Sequence, residues 1–350
     1  MTNASTTTRP LRLALAHTAA SLLVALVPVP VLCANAASDI PQLRMQSAER
    51  MPGAERTTIL SVARAGARLV AVGERGVVLL SDDDGKTYRQ AREVPVNSTL
   101  TSVWFNDERN GWAVGHWGAV VHSVDGGETW AAQRSDIKVD QPLFGVYFKN
   151  AREGWAVGLW SLLLHTVDAG QNWTTVALPP PRGAKKADRN LYSIFADAKG
   201  GLYVASEQGR ILRSSDNGAN WSYIETGYAG SFWAGVALQD GTLLVGGLRG
   251  TIYRSADAGT SWTQVRTPFK SSITAMLQFA DRSVVAVGLD GVTFVSRDNG
   301  LTFTGQQRAD RETLTALAET RGGKPLMFSV DGPTPDQMNL IPALEKGHTP

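Results

Sequence analysis

The stretch Ala113–Trp130, AVGHWGAVVHSVDGGETW, decides the fold, because near-copies of it recur along the chain. Its second half reads Ser/Thr-x-Asp-x-Gly-x-x-aromatic. Six copies of that half are present: Ser81–Tyr88 (SDDDGKTY), Ser123–Trp130 (SVDGGETW), Thr166–Trp173 (TVDAGQNW), Ser214–Trp221 (SSDNGANW), Ser255–Trp262 (SADAGTSW) and Ser296–Phe303 (SRDNGLTF). Their starts are spaced by 41 to 48 residues. A fixed period of that size marks a propeller or solenoid array rather than one wound domain.

Each residue type in the pattern has a job in a hairpin turn. The aspartates Asp83, Asp125, Asp168, Asp216, Asp257 and Asp298 can accept hydrogen bonds from backbone N–H groups just ahead of them. The Ser or Thr hydroxyl does the same more weakly. The glycine supplies positive φ. The aromatic opens the next strand and covers the turn. The first half of the stretch also repeats, as in AVGERGVVLL (Ala71–Leu80), AVGLWSLLLH (Ala156–His165) and VGGLRGTIYR (Val245–Arg254). This reads as a small-residue strand, a tight turn and a β-rich strand. A further strand precedes it, as in Thr101–Phe105 and Leu143–Phe148. Four short strands per unit predict an all-β, seven-bladed propeller of four-stranded antiparallel blades. Six blades carry the box. A seventh, partial unit runs from Glu312 to about Val330 without one.

Ser-x-Asp-x-Gly-x-Thr-Trp is the Asp-box, or BNR, repeat. Joined to Gly-Trp-Ala-Val-Gly-x-x-Gly at Gly111–Gly118, and more loosely at Gly154–Gly158, it resembles the photosystem II stability/assembly factor family. The similarity spans roughly Ser61–Val330. The resemblance implies a non-catalytic scaffold that binds a membrane-protein client on the extracytoplasmic side. The box alone is weakly specific, since sialidases and many secreted propellers carry it.

Residues 1–36 read as a signal peptide: Arg9 and Arg12 precede an apolar run from Leu13 to Leu32, and Ala34-Asn35-Ala36 fits a cleavage site. An uncleaved anchor is the other reading. Pro28 and Pro30 favour cleavage, and Leu32 argues against lipidation at Cys33. Cleavage would remove the one cysteine, so stability would rest on packing without disulfides. It would also remove two arginines and no acid, which makes Lys+Arg equal to Asp+Glu. A neutral total gives no support for nucleic-acid binding. The predicted destination is the periplasm or a lumen, and the signal has a bacterial look. A bacterial, non-photosynthetic relative is therefore expected, with an envelope complex as client in place of photosystem II. The propeller is placed at 37–330 and a Pro-rich tail at 331–350. Because a ring must hide its loose edges, Gln42–Ser47 is expected to add an outer strand to the last blade.

Strand order assigns the loops to faces. Boxes and first hairpins share one face. The Gly-x-x-Gly tips and the links between blades share the other. That second face would carry Trp117 and Trp160 on adjacent tips, Trp233 in the link GYAGSFWAG, Arg75 and Arg249 on further tips, and Lys185–Lys186 in the Pro-rich insertion Pro179–Arg189. Aromatics and arginine are enriched in interface hot spots, so these seven residues are the expected protein-binding set. Packing of the tryptophans into blade junctions, and a tolerated surface insertion, remain open readings.

An enzyme finds little support. A sialidase-like glycosidase would need an arginine triad and a Tyr–Glu pair, usually opening with Arg-Ile-Pro; the nearest string is Arg266-Thr267-Pro268, in the fifth blade. Glycoside hydrolysis in general needs two facing carboxylates, which sequence alone leaves undecided. There is no His-Glu-x-x-His, Gly-x-Ser-x-Gly or phosphate loop. His122 and His165 repeat by symmetry and do not read as a metal pair. Asp82 and Asp84 read as a solvated turn. No catalytic residue, metal, cofactor or small-molecule substrate is predicted. An accessory protein of an envelope transporter is the remaining alternative to the family reading.

Overall fold

The computed structural model describes residues 45–334. They form seven antiparallel sheets, each joining strands that are consecutive in the chain. The inner strands are Ile59–Ala65, Leu100–Phe105, Leu143–Phe148, Leu191–Ala196, Phe232–Ala237, Ile273–Gln278 and Leu314–Glu319. Each packs on the inner strand of the blade before it and the blade after it, and the seventh packs on the first. The chain is a closed, all-β, seven-bladed propeller, as the repeat period requires.

Period two decides where the side chains go. In the second strand of blade one, Leu69 and Ala71 enter the cluster shared with blade seven, while Val70 and Val72 enter the cluster shared with blade two. Seven such clusters result, one at each junction. Second strands such as Gly111–Gly115 and Gly154–Gly158 are buried at every position. Covered on both sides, they read as continuous apolar runs rather than alternating ones. Trp112 and Trp155 anchor consecutive junctions with no exposure. Truncating either to alanine would cost about 3–5 kcal/mol.

The boxes close the turns between third and fourth strands. In blade two, Ser123 Oγ donates to Asp125 Oδ1 at 2.9 Å and accepts from Gly127 N at 2.8 Å. Asp125 also accepts from Thr129 N (2.9 Å) and Thr129 Oγ1 (2.7 Å). Trp130 Nε1 then donates to Gly127 O at 2.9 Å. Gly127 is required twice over: its φ is +85°, and a Cβ would press on Val70 of the preceding blade at 3.1 Å. The other five boxes reproduce the serine–aspartate–glycine bonds. Where asparagine replaces threonine, its amide supplies the same bond: Asn172 and Asn220 Nδ2 lie 2.7 Å from Asp168 and Asp216. Asn172-Trp173-Thr174 and Asn220-Trp221-Ser222 match the glycosylation-acceptor pattern, but their asparagines are engaged as box donors.

Closure of the ring differs from expectation. The seventh blade has three strands among the described residues, Leu314–Glu319, Pro325–Ser329 and Gly332–Pro333. Its third strand lies beyond the boundary placed at Val330. Of the expected strand Gln42–Ser47, the described part, Met45–Ser47, carries no strand, and the chain from there runs against the outer side of blade one. There Ala48 N donates to Val94 O at 2.9 Å, and Gln90 brackets Glu49 O and Met51 N at 2.8 and 3.1 Å. The reason is apolar: Met45 and Ala48 pack on the cluster between blades one and two, which a strand beside blade seven could not reach. Gln42–Arg44 and the whole expected signal peptide lie outside the described residues, as does the tail beyond Thr334.

Side chains join the two ends of the ring. Arg64 donates to Glu319 O (2.6 and 3.0 Å) and to Asp84 Oδ1 (2.5 Å). Asp84 also accepts from Arg321 N at 2.9 Å. Burial pushes the Asp84 carboxyl up, but the bonds from Arg64 and Arg321 outweigh it and hold it below its ordinary value. Asp82 is paired with Arg68 at 2.6 Å, which lowers it likewise. These two aspartates, expected as a solvated turn, are ion-paired.

Candidate protein-binding site

Tips and links share one end of the propeller, opposite the boxes. The first residue of a tip donates its N–H to the carbonyl just before the inner strand of its own blade. The pairs are Glu74–Thr58 (3.1 Å), His116–Thr99 (3.0 Å), Leu159–Pro142 (2.9 Å), Leu248–Ser231 (3.0 Å) and Leu289–Ser272 (2.9 Å). The second tip residue is left-handed in six blades: φ is 55° at Arg75, 58° at Trp117, 54° at Trp160, 57° at Gln208 and Arg249, and 56° at Asp290. That conformation costs an L-residue about 1–2 kcal/mol. Backbone N–H bonds hold three of these residues there. Trp117 N reaches Asp140 Oδ1 at 2.8 Å, Trp160 N reaches Asn190 Oδ1 at 3.1 Å, and Arg249 N reaches Ser272 Oγ at 3.2 Å. The equivalent tip of blade seven is Val330–Asp331.

The expected residues fall on this rim with one exception. Arg75 and Arg249 are exposed, Trp160 is 56% exposed, and Trp117 is half-buried. Lys185 and Lys186 are exposed in the link from blade three to blade four. The end of that link is fixed by Ser161, which stands where other tips have glycine and has φ 59°. Ser161 N donates to Arg189 O at 2.7 Å, and Ser161 Oγ accepts from Arg189 N at 2.9 Å. Among the described residues, none of Arg75, Arg249, Lys185 or Lys186 has a carboxylate in ion-pair range. Exposed Ile137 and Val139 lie in the neighbouring link from blade two to blade three. Acidic residues are present too: Glu74 and Glu207 precede Arg75 and Gln208 on the tips of blades one and four, and Asp290 and Asp331 stand on those of blades six and seven. The rim thus mixes charges, with its exposed cations and tryptophans on blades one to five.

Trp233 is the exception. It lies not in a link but on the inner strand Phe232–Ala237, as Phe144 lies on Leu143–Phe148. All seven inner strands carry an irregularity at one place: the first residue pairs, the second is skipped, and the third pairs again. The skipped residues are Leu60, Thr101, Phe144, Tyr192, Trp233, Thr274 and Thr315. A bulge of this kind re-aims a side chain, and all seven line the central cavity, whose volume is about 210 Å³. The bulge sits beside the tips: Ile59 pairs with Gly73, which directly precedes Glu74. Tyr192 was missed from the sequence. The signal was available, since aligning the inner strands on their first large apolar residue, Leu143, Leu191 and Phe232, puts Phe144, Tyr192 and Trp233 in one column.

His122 and His165 are packing residues: His122 stacks on Trp112 with centroids 4.6 Å apart, and His165 on Trp155 at 4.9 Å. Burial pushes His122 below its ordinary pKa. Among the described residues there is no group of three or more His, Cys, Asp or Glu able to hold a metal. At the box end the aspartates are held low. A side-chain bond from Thr87, Asn220 or Ser261 leads the effect that brings Asp83, Asp216 and Asp257 down to about 2.

A family model described as photosynthesis system II assembly factor YCF48 matches residues 90–233. Over that span the chain is similar to this family. Among solved structures, YCF48 bound to D1 peptide superposes with a TM-score of 0.64 at 18% identity, covering 82% of this chain and 94% of that one. YCF48 from Cyanidioschyzon merolae gives 0.63 at 17%, covering 81% and 97%. The extracellular domain of the one-component system BT4673 from B. thetaiotaomicron gives 0.63 at 12%, covering 82% of this chain and 39% of that one. At these identities the superpositions establish the fold alone. No curated protein matches the sequence.

Proposed function

We propose that this protein is a non-catalytic scaffold that holds a protein client on the tip-and-link rim. The observation that carries the reading is the rim itself: it presents four basic side chains that have no ion-pair partner among the described residues, with exposed Trp160 and half-buried Trp117 on the same end. Charged groups left without partners and large exposed aromatics are what a binding face presents before its partner arrives. The family match supports a client-binding role, and the relative YCF48 is known with a D1 peptide bound. We further propose that the chain is exported, in keeping with the signal-like residues 1–36, and that the client is a membrane protein of a bacterial envelope complex, engaged on the extracytoplasmic side.

A photocrosslinking amino acid at Trp160 tests the rim, with the same probe at Val167 on the box end as control. Val167 is 59% exposed, so accessibility is matched. Crosslinks to one membrane-fraction protein from position 160 and none from 167 are the expected result. With the probe moved to Arg249, the Trp117→Ala/Trp160→Ala double variant should lose the crosslink with an unchanged melting temperature. Equal crosslinking from both ends would sink the rim. Recovery of the native chain in the cytoplasm at full length would sink the export.

A further inference from the structure

The seven bulged residues divide the channel mouth into two unlike arcs. In blades two, six and seven the bulge is threonine, and its hydroxyl staples one blade to the next. Thr101 Oγ1 donates to Val114 O (3.1 Å) and to Leu143 O of blade three (2.6 Å). Thr274 Oγ1 reaches Val287 O (3.1 Å) and Leu314 O of blade seven (2.7 Å). Thr315 Oγ1 bonds Phe328 O and Ile59 O of blade one. The junction between blades one and two has its own tie, from Val103 N to Ser61 Oγ at 3.2 Å. In blades three, four and five the bulge is Phe144, Tyr192 and Trp233. Among the described residues, no side chain makes the corresponding bond to Leu191, Phe232 or Ile273. Phe144 and Tyr192 stack instead, with centroids 5.7 Å apart and planes at 26°. At the bulge, three consecutive blades thus lack the threonine tie to the next inner strand and present aromatic rings, all three partly exposed.

The cavity beneath these rings narrows the occupant. No lining residue is Asp, Glu, Lys, Arg or His. A charged group entering it would lose hydration without a counter-charge, which is costly. Its volume of about 210 Å³ falls below the roughly 300–1,000 Å³ of pockets that take a whole organic ligand. An aromatic ring fits both limits, and an arc of rings favours offset or edge contacts with it. The cavity opens on the rim, where Arg75, Arg249, Lys185 and Lys186 have no ion-pair partner among the described residues, so acidic residues are the favoured neighbours of that ring. We infer that the channel mouth is a socket for one aromatic side chain of the polypeptide client, seated on Phe144, Tyr192 and Trp233 and flanked by acidic residues that meet the rim. This inference rests on the rim reading and sharpens it.

The test titrates the intact protein with two blocked pentapeptides, Asp-Glu-Phe-Glu-Asp and Asp-Glu-Ala-Glu-Asp, and with N-acetylphenylalaninamide. The phenylalanine peptide should bind roughly tenfold or more tightly than the alanine peptide, the gain expected from burying one ring, and should shift the Trp233 indole N–H resonance. In the Tyr192→Thr/Trp233→Thr variant that discrimination should vanish. Threonine is native to the bulge in three blades, so the fold tolerates it, and an unchanged melting temperature checks this; Phe144→Thr alone is the second variant. Equal binding of both peptides to the unsubstituted protein overturns the socket and leaves the rim standing. So does failure of both to bind, because the crosslink from position 160 judges the rim separately. Binding of N-acetylphenylalaninamide as tight as that of the phenylalanine peptide overturns a polypeptide occupant in favour of a free aromatic molecule.

Discussion

At the box end, six turns use the same residues and the same bonds. At the rim end, the tips share a backbone conformation and almost no side chains. Asp83 and Asp298 are interchangeable in role, whereas Arg75, Trp117, Gln208 and Asp290 occupy one position with four different chemistries. The two ends face the same packing problem, since each must turn a strand tightly over a blade junction. The box end solves it with side chains, so its sequence is constrained. The rim solves it with backbone bonds from tip N–H groups to the entering strand, so its side chains are free to serve something else. Repetition here marks what folds the protein, and variation marks where it can bind.

Four measurements would break or sharpen this contrast, and the largest effect is expected from acid. The box carboxylates titrate near 2 at Asp83, Asp216 and Asp257, against about 3.9 in an unfolded chain. A depressed folded value means stability that is present above about pH 4 and lost as pH falls through 2. Tryptophan fluorescence should therefore report unfolding between about pH 4 and 2; a chain still folded at pH 1.5 would show that the boxes matter little. Next comes one box. Asp125→Ala orphans the Thr129 N–H and removes three hydrogen bonds, and should cost about 3 kcal/mol in urea denaturation. Arg64→Ala opens the seam between blades one and seven and should cost about 1–2 kcal/mol. Trp160→Gly is smallest: it relieves a left-handed residue but loosens the unfolded chain, so stability should move by no more than about 0.5 kcal/mol while client crosslinking from a probe at Arg249 is lost. A tip variant as damaging as Asp125→Ala would erase the distinction between the ends.

Most of the architecture was legible because it repeats. A single Ser-x-Asp-x-Gly string is a turn, but six at one period fix blade count, strand order and which loops share a face. Rim membership of Trp117, Trp160, Arg75 and Arg249 followed from that order alone. Ring closure was not legible. The expectation for Gln42–Ser47 came from the general need to cover an edge, whereas Met45 and Ala48 follow apolar surface on blade one. Trp233 was misplaced because GYAGSFWAG contains turn residues on both sides of a strand start, and periodicity does not locate a bulge.

The sequence by itself determined that the chain turns every ten residues or so, that its sheets are buried on both faces, and that its corners are capped by serine and aspartate. Those properties depend on residues close together in the chain, so spacing reveals them. Only the tertiary structure decided that Phe144, Tyr192 and Trp233 meet around one opening, that Arg64 ties the last blade to the first, and that four cations on the rim lack ion-pair partners among the described residues. These facts join residues tens to hundreds of positions apart, and they arise only when inner strands converge on a common axis.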